Sequence, residues 1–187
     1  MVVDEKSLMK AMKEAYKGSG YKVAVEDDGG QIDIIISTAF WTVVIEKSAF
    51  PRKVLGMIAE HIGEIPGAGY AYQVKKKETQ VEIFDIVLQA VRDFHSGEKE
   101  RRIVRRTNLT LGGYNLWQAA TDQKIVRLDP LYEDIMIWGG NKVVRIIGDD
   151  LLMVDDLASR AYISCMPVDE KEQHIFDHLS KMEWPVV

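Results

Sequence analysis

The chain has 187 residues, of which 47% are hydrophobic and 28% are charged, and its formal net charge at pH 7 is −5. This apolar fraction is large enough to form a core and excludes an intrinsically disordered chain. The acidic balance argues against a general binder of nucleic acid or of anionic membranes, so nucleic acid is not an expected partner.

Cysteine usage and hydropathy indicate the compartment. Cys165 is the single cysteine, which leaves no intramolecular disulfide and is unlike a small secreted scaffold. Residues 1–17 interleave charged and apolar side chains, which is not the pattern of a secretory signal. No window approaches the roughly 20 apolar residues that a membrane-spanning helix needs. We therefore expect a cytoplasmic protein without a membrane segment.

The first 50 residues predict a helix followed by a meander of strands. Asp4 can cap a helix with apolar residues at helical spacing, and the glycines at 18–20 end it. An acidic and glycine-rich turn at 27–30 is typical of a hairpin, because such residues tolerate positive φ. The pattern predicts three strands, over residues 21–25, 32–37 and 42–46.

A second helix and a second hairpin follow. Pro51 can open a helix at no hydrogen-bond cost, and Gly63 ends it. Alternating apolar residues predict strands over 70–74 and 81–83, although residues 81–91 could instead extend the next helix. Asp85 is a candidate N-cap for that helix, which ends before Gly97.

Through residue 97 the predicted order is helix, three strands, helix, two strands, helix. In element order alone, this resembles the fold of bacterial secretion chaperones and related small acidic modules. The resemblance implies a non-catalytic and often dimeric protein that binds a partner through a sheet face or an edge strand.

The charged stretch 96–102 is the best candidate boundary in the chain. It divides an N-terminal α+β unit, residues 1–97, from a β-rich C-terminal unit, residues 98–187; one fused domain is the alternative. The second unit predicts strands over 103–106, 108–111, 114–119, 125–128, 134–138, 143–147, 151–154 and 161–166, with a hairpin turn at 139–141. A final helix follows Pro167, with Asp169 as its cap.

The predicted fold class is therefore α+β, with a mostly antiparallel sheet or sheets, helices packed on one side, and the N-terminal order α-β-β-β-α-β-β-α. Residues 43–66 and 161–185 share the order strand, proline, helix. This shared order indicates either a duplicated unit or a common type of connection.

Two constellations could carry chemistry. His174 and His178 lie at i and i+4 and could bind a metal, and with Asp177 they have the spacing of an inverted zincin motif. We favour two solvent-facing histidines, because little chain follows to supply a third ligand. Cys165 could be a nucleophile, but on a strand it fits better as a small core residue. We therefore expect no catalytic residue, no metal and no cofactor.

Concentrated positive charge occurs at Arg101, Arg102, Arg105 and Arg106. Guanidinium groups bind phosphates or carboxylates through a fixed fork of donors, which makes this an anion-site candidate. Alternatively, these charges protect an edge strand from aggregation.

Aromatic residues suggest self-association. Trp138 closes the apolar run 135–138, and aromatic side chains dominate interface energetics. We expect a homodimer with Trp138 and Trp117 at its interface.

The leading functional hypothesis is a non-catalytic protein-binding module, chaperone- or adaptor-like. The alternative is a small ligand-binding domain or enzyme that uses Arg101–Arg106 as an anion site.

Overall fold

The computed structural model describes residues 1–76, 78–83, 101–139, 142–148 and 150–185. In these ranges, eleven strands form one sheet in which all neighbouring strands are antiparallel. This confirms the predicted α+β class. The predicted helix from Asp85 and most of the predicted turn at 139–141 lie outside the described residues. No helix in the described part of the chain is long and apolar enough to cross a membrane.

The strands are β1 Tyr21–Asp28, β2 Gln31–Ser37, β3 Trp41–Glu46, β4 Tyr70–Lys75, β5 Glu78–Ile83, β6 Arg101–Leu111, β7 Tyr114–Ala119, β8 Ile125–Leu128, β9 Val144–Ile147, β10 Leu151–Asp155 and β11 Ser159–Ser164. The helices are α1 Glu5–Lys17, α2 Arg52–Ile62, α3 Pro130–Glu133 and α4 Gln173–Leu179, with a 3₁₀ turn at Lys47–Ala49. The strand order in the sheet is β5-β4-β1-β2-β3-β11-β10-β9-β6-β7-β8.

The sheet contains a repeated topology. The meander β1-β2-β3 is followed by α2 and by the hairpin β4-β5, whose first strand returns beside β1. The meander β6-β7-β8 is likewise followed by α3 and by β9-β10, whose first strand returns beside β6. Strand β11 lies between β10 and β3 and joins the two halves into one sheet.

This repeated topology differs from the similarity between residues 43–66 and 161–185, which share the order strand, proline, helix. Those segments contain β3 with α2 and β11 with α4. The counterpart of β3 in the repeated topology is β8, whereas β11 has no counterpart among the described residues of the first half. The similarity between these two segments therefore does not coincide with the repeated topology.

Local signals at the first two helices are confirmed. The Asp4 side chain accepts a hydrogen bond from the Ser7 backbone N–H at 2.8 Å, which satisfies a donor that the helix leaves open. Helix α2 begins directly after Pro51 and ends at Gly63, whose φ of 82° is left-handed. The predicted hairpin at 70–83 forms as β4 and β5, so the alternative helix starting at residue 81 is wrong for 81–83.

The C-terminal helix begins later than predicted. Asp169 accepts from the Lys171 backbone N–H at 3.1 Å within a turn, and α4 starts only at Gln173. The two strands predicted at 103–106 and 108–111 are instead one strand, β6, with a register shift between Arg106 and Thr110. A bulge keeps a strand continuous while re-aiming its side chains.

The run 134–138 is not a strand, because α3 ends directly before it and its first amides bond back into that turn. Ile135 N donates to Tyr132 O at 3.0 Å and Met136 N to Glu133 O at 2.9 Å. A single bridge joins Met136 to Val3. Both Ile135 and Met136 are buried, so the chain's own N-terminal segment covers this apolar run.

The main core lies between one face of the sheet and the helices α1 and α2. Leu8 and Met12 of α1 and Val54 and Ile58 of α2 are all 0% exposed. Burying one such side chain stabilises the fold by about 1.5–3 kcal/mol. The opposite face carries a smaller cluster of buried residues, and α4 packs on that face at its far end through Phe176 against Leu116 and Ile125.

Candidate functional site

The four predicted anion-site arginines lie on β6 and alternate between its faces, because successive strand residues point in opposite directions. Arg102 and Arg106 share a face with buried Val104, whereas Arg101 and Arg105 are exposed on the other. Arg102 is buried and donates to the Asp122 carboxylate and to Gly148 O at 2.6 Å. The four side chains therefore do not converge on one point, and anion binding by them stays a prediction.

Arg106 belongs to a buried polar network that the sequence did not reveal. Its Nε donates to Glu133 Oε1 at 3.0 Å, and Asn115 Nδ2 donates to Glu133 Oε2 at 2.8 Å. Glu133 is buried, so the guanidinium compensates a charge that would otherwise be costly. This arginine holds α3 against the sheet.

Arg127 anchors the C-terminal helix in a similar way. Its Nε donates to Pro167 O at 3.1 Å, and a terminal nitrogen donates to Glu172 Oε2 at 2.7 Å. The guanidinium also lies over the rings of Tyr114 and Phe176, at 5.0 and 5.8 Å from their centroids. Its role is structural.

His174 and His178 are both exposed on α4. Asp177, which stands between them, accepts a hydrogen bond from Gln173 Nε2 at 2.8 Å. In the described ranges, no group of three or more histidine, cysteine, aspartate or glutamate residues is placed to hold a metal ion.

Cys165 follows β11, is half-buried and packs against the main core. Burial raises the pKa of its thiol to about 12, and the negative charge of Asp150 adds to that effect. Such a thiol stays protonated at neutral pH and is a poor nucleophile. The geometry supports the interpretation as a core residue.

Trp117 and Trp138 meet inside the fold. Their rings are edge-to-face with centroids 5.3 Å apart, and Trp117 is 1% exposed while Trp138 is half-buried. Such aromatic pairs contribute beyond simple burial. Their part in a dimer interface stays a prediction.

A titratable cluster lies between α1, β1 and α2. Tyr21 Oη and His61 Nδ1 are 2.6 Å apart, and the Tyr16 ring stacks on His61 with centroids 3.8 Å apart. Burial lowers the pKa of His61, an effect that Glu60 partly opposes and Lys13 reinforces. Burial also raises the pKa of Tyr21, so the neutral phenol–imidazole pair is the stable form.

A concavity formed by described residues lies on the sheet face opposite α1 and α2. It has a volume of about 460 Å³ and opens where β1 and β3 begin and β2 and β11 end. We call it the sheet pocket. Its described lining residues are Ser19, Gly20, Tyr21, Lys22, Ser37, Thr38, Ala39, Trp41, Thr42, Gln73, Leu151, Tyr162 and Ser164.

One row of polar side chains crosses five strands on the pocket floor: Gln73, Lys22, Ser37, Thr42 and Tyr162. Each residue is directly paired in register with the next. Directly paired residues point to the same face with Cβ atoms about 5 Å apart. With strands about 4.8 Å apart, the row is roughly 19 Å long. We call it the polar row.

The polar row consists of neutral hydrogen-bonding side chains and one cation, Lys22. Ser37 Oγ and Thr42 Oγ1 share a hydrogen bond of 2.7 Å. Tyr162 is 2% exposed, and burial raises its pKa to about 12, an effect that Arg160 opposes, so the phenol keeps its proton. Lys22 is the one charged side chain among the described lining residues.

On β4, β1, β2 and β3 the next row consists of the buried apolar residues Ala71, Ala24, Ile35 and Val44, and on β11 it ends in Arg160, which is paired with Val44. On these four strands, hydrogen-bonding side chains therefore end with the polar row. Sequence reasoning missed the polar row because its members come from separate segments. Thr42 and Tyr162 become neighbours only through the pairing of β3 with β11.

The rim of the sheet pocket is fixed by backbone packing at Gly20. This residue has a φ of +90°, and a Cβ there would lie 2.6 Å from Val74 O. Because a Cβ at position 20 would collide with the Val74 carbonyl oxygen, only glycine fits there.

In comparisons with known proteins, no family model, no curated protein and no solved structure matches the chain. The chemistry of the sheet pocket is therefore the basis for a functional proposal.

Proposed function

We propose that this protein is a non-catalytic binding module, chaperone- or adaptor-like, that holds a segment of a protein partner in the sheet pocket. The observation that carries the proposal is the polar row on the pocket floor. Its hydroxyl, amide and ammonium groups suit the carbonyl and amide groups of an extended peptide. A row of roughly 19 Å corresponds to about six extended residues.

The same groups favour binding over catalysis. Activating a serine or threonine hydroxyl requires a general base within hydrogen-bond reach. The described lining residues include no histidine and no carboxylate, and the Ser37 and Thr42 hydroxyls hydrogen-bond to each other. The raised pKa of Tyr162 makes its phenol a hydrogen-bond donor and not a base.

A small-ligand domain is the second candidate, because a volume of about 460 Å³ lies in the range of small-molecule sites. Arg101, Arg102, Arg105 and Arg106 do not line the sheet pocket. A small ligand would therefore use Lys22 and the hydroxyl groups instead of the arginines.

A matched pair of serine variants tests the proposal. Peptides are selected from a random display library on the full chain, and their dissociation constants are measured by calorimetry. Ser19→Trp places an indole at the exposed pocket rim and should weaken binding at least about tenfold, which is about 1.4 kcal/mol. Ser48→Trp, equally exposed but outside the sheet pocket, should leave binding unchanged.

Equal affinity of both variants would place the peptide elsewhere and contradict the proposal. If no peptide is selected, but a panel of metabolites raises the melting temperature of the wild type and not of Ser19→Trp, the small-ligand function is the correct one.

We also propose a cytoplasmic homodimer. Trp138 is half-buried and can contribute to an interface, whereas Trp117 lies behind it. Light scattering should give twice the chain mass of 21.2 kDa at micromolar concentration. The single-chain mass across a hundredfold dilution series would contradict a dimer.

A further inference from the structure

A stripe of lysines runs along the exposed side of α1. Lys6, Lys10, Lys13 and Lys17 follow one another at intervals of four, three and four residues, so they share one helix face, and all are exposed. Exposed Lys53 of α2 lies beside them. We call these five residues the lysine stripe. With Glu5, Met9 and Glu14 they line a shallow concavity of about 400 Å³.

The lysine stripe is electrostatically unfavourable to the free protein. Like charges three or four residues apart destabilise a helix, and three consecutive pairs of this kind occur between Lys6 and Lys17. Lys6 also lies in the first turn, where the positive end of the helix dipole repels a cation. Lysine is an otherwise good helix former, so the unfavourable feature is the arrangement and not the residue type.

The intramolecular compensation is partial. Lys17 pairs with Glu14 at 3.1 Å and Lys53 with Glu5 at 3.4 Å. In the described part of the chain, no carboxylate lies within 4.0 Å of the ammonium groups of Lys6, Lys10 or Lys13. The stripe thus presents cations to solvent on a chain whose net charge is −5.

We propose that the lysine stripe is a docking surface for an acidic polypeptide segment of a partner protein. An anionic segment would relieve the repulsion among the lysines and supply the missing counter-charge. From Lys6 to Lys17 the helix rises about 17 Å, which matches about five residues of extended peptide. This surface lies on the helix side of the sheet, opposite the sheet pocket, and does not depend on the function proposed there.

Three features favour a polypeptide over nucleic acid or a membrane. The excess negative charge of the chain repels a long polyanion outside the stripe. Glu5 and Glu14 lie within the concavity, where they oppose the phosphates fixed along a nucleic-acid backbone, whereas the flexible side chains of an acidic peptide can turn their carboxylates toward the lysines. Among the described residues that line the concavity, Met9 is the one apolar side chain, which is too little for insertion into a bilayer.

The test uses fluorescence anisotropy with a labelled oligoglutamate peptide as the probe and an oligoglutamine peptide as its uncharged counterpart. The stripe variant is Lys6→Gln, Lys10→Gln and Lys13→Gln combined. The control variant is Lys47→Gln, Lys171→Gln and Lys181→Gln combined, which removes the same charge from exposed positions outside the stripe. Melting temperatures of all three proteins are measured in parallel.

We expect the wild type to bind oligoglutamate and not oligoglutamine, with affinity falling as salt is raised from about 20 to 300 mM. The stripe variant should lose at least about tenfold in affinity, while the control variant changes less than about twofold. The stripe variant should melt at the same temperature as the wild type or higher, because repulsion is removed.

An equal loss of oligoglutamate affinity in the stripe and control variants would show that the peptide is attracted by any surface lysine, and it would overturn the proposal. A stripe variant that melts lower than the control variant would overturn the repulsion argument on which the proposal rests. Tighter binding of the wild type to a single-stranded oligonucleotide, or to phosphatidylserine vesicles, than to oligoglutamate would assign the stripe to another class of partner and reject the polypeptide.

Discussion

Arg106 on β6 and Glu133 at the end of α3 form a buried ion pair, with 3.0 Å between Nε and Oε1. Glu133 is 3% exposed, and its second carboxylate oxygen accepts from Asn115 of β7 at 2.8 Å. Both oxygens are thus hydrogen-bonded and the charge is compensated. Such a pair is costly to break, because one partner alone is an uncompensated buried charge.

Arg106→Ala should therefore lower the free energy of unfolding by about 3 kcal/mol. The matched control is Arg105→Ala, which removes an exposed guanidinium from the opposite face and should cost less than about 0.5 kcal/mol. Urea denaturation measures both. If the two variants were equally stable, the ion pair would contribute nothing, and Arg106 would again be a candidate for anion binding.

The local features of this fold were predictable, because their causes lie within a few residues. The Asp4 cap, the start of α2 after Pro51 and its end at Gly63 depend on side chains and φ preferences at those positions. The alternation of apolar residues also predicted most strands. Misplaced boundaries arose where a turn competed with a helix or strand, as at Asp169 and after Glu133.

The candidate sites were predictable only as far as charge or residue type reveals them. The sequence shows that Arg105 and Arg106 are adjacent, but not that Glu133 compensates one of them. The polar row requires the pairing of β3 with β11, which no local pattern encodes. Two residues distant in sequence become neighbours through the packing of the whole chain. A single sequence does not show which distant residues will be in contact.

Gly20→Ala should destabilise the protein much more than Gly30→Ala. Both residues have left-handed φ values, +90° and +106°, so alanine is strained at each. Only at Gly20 would the new Cβ also collide with backbone, 2.6 Å from Val74 O, while at Gly30 it meets nothing within 4 Å. We expect a loss of about 1 kcal/mol at Gly30 and about 3 kcal/mol at Gly20. Thermal denaturation of both variants measures these losses. Similar losses of stability at the two positions would mean that the backbone around residue 20 shifts to accommodate the new Cβ.

The stability of the protein should fall as the pH drops below the ordinary histidine pKa of about 6.5. Burial lowers the pKa of His61 in the folded state, so between its folded and unfolded pKa values the unfolded chain binds more protons. The stabilising effect is complete above pH 6.5 and is lost as the pH falls through the lowered pKa. Asp4 and Asp156, whose pKa values are held below 3.8, affect stability only at lower pH.

His61→Gln should flatten this dependence between pH 7.5 and 5.5, measured as the urea midpoint at each pH. His174→Gln, which changes an exposed histidine, should retain the wild-type slope. An unchanged slope in His61→Gln would assign the pH dependence to another group, and the Tyr21–His61 contact would then have no role in it.

Cys165 should be almost unreactive in the folded protein. With a thiol pKa of about 12, only about one molecule in ten thousand is a thiolate at pH 8, compared with about one in four for an ordinary cysteine. Alkylation by iodoacetamide should therefore be at least about 100-fold slower in buffer than in denaturing urea, because the thiolate is the nucleophile. The control is Ser48→Cys in a Cys165→Ala background, which places a thiol at an exposed position and should react rapidly in both solvents. If native Cys165 reacts as fast as this control, its thiol is accessible and ionised, and the interpretation as a core residue is wrong.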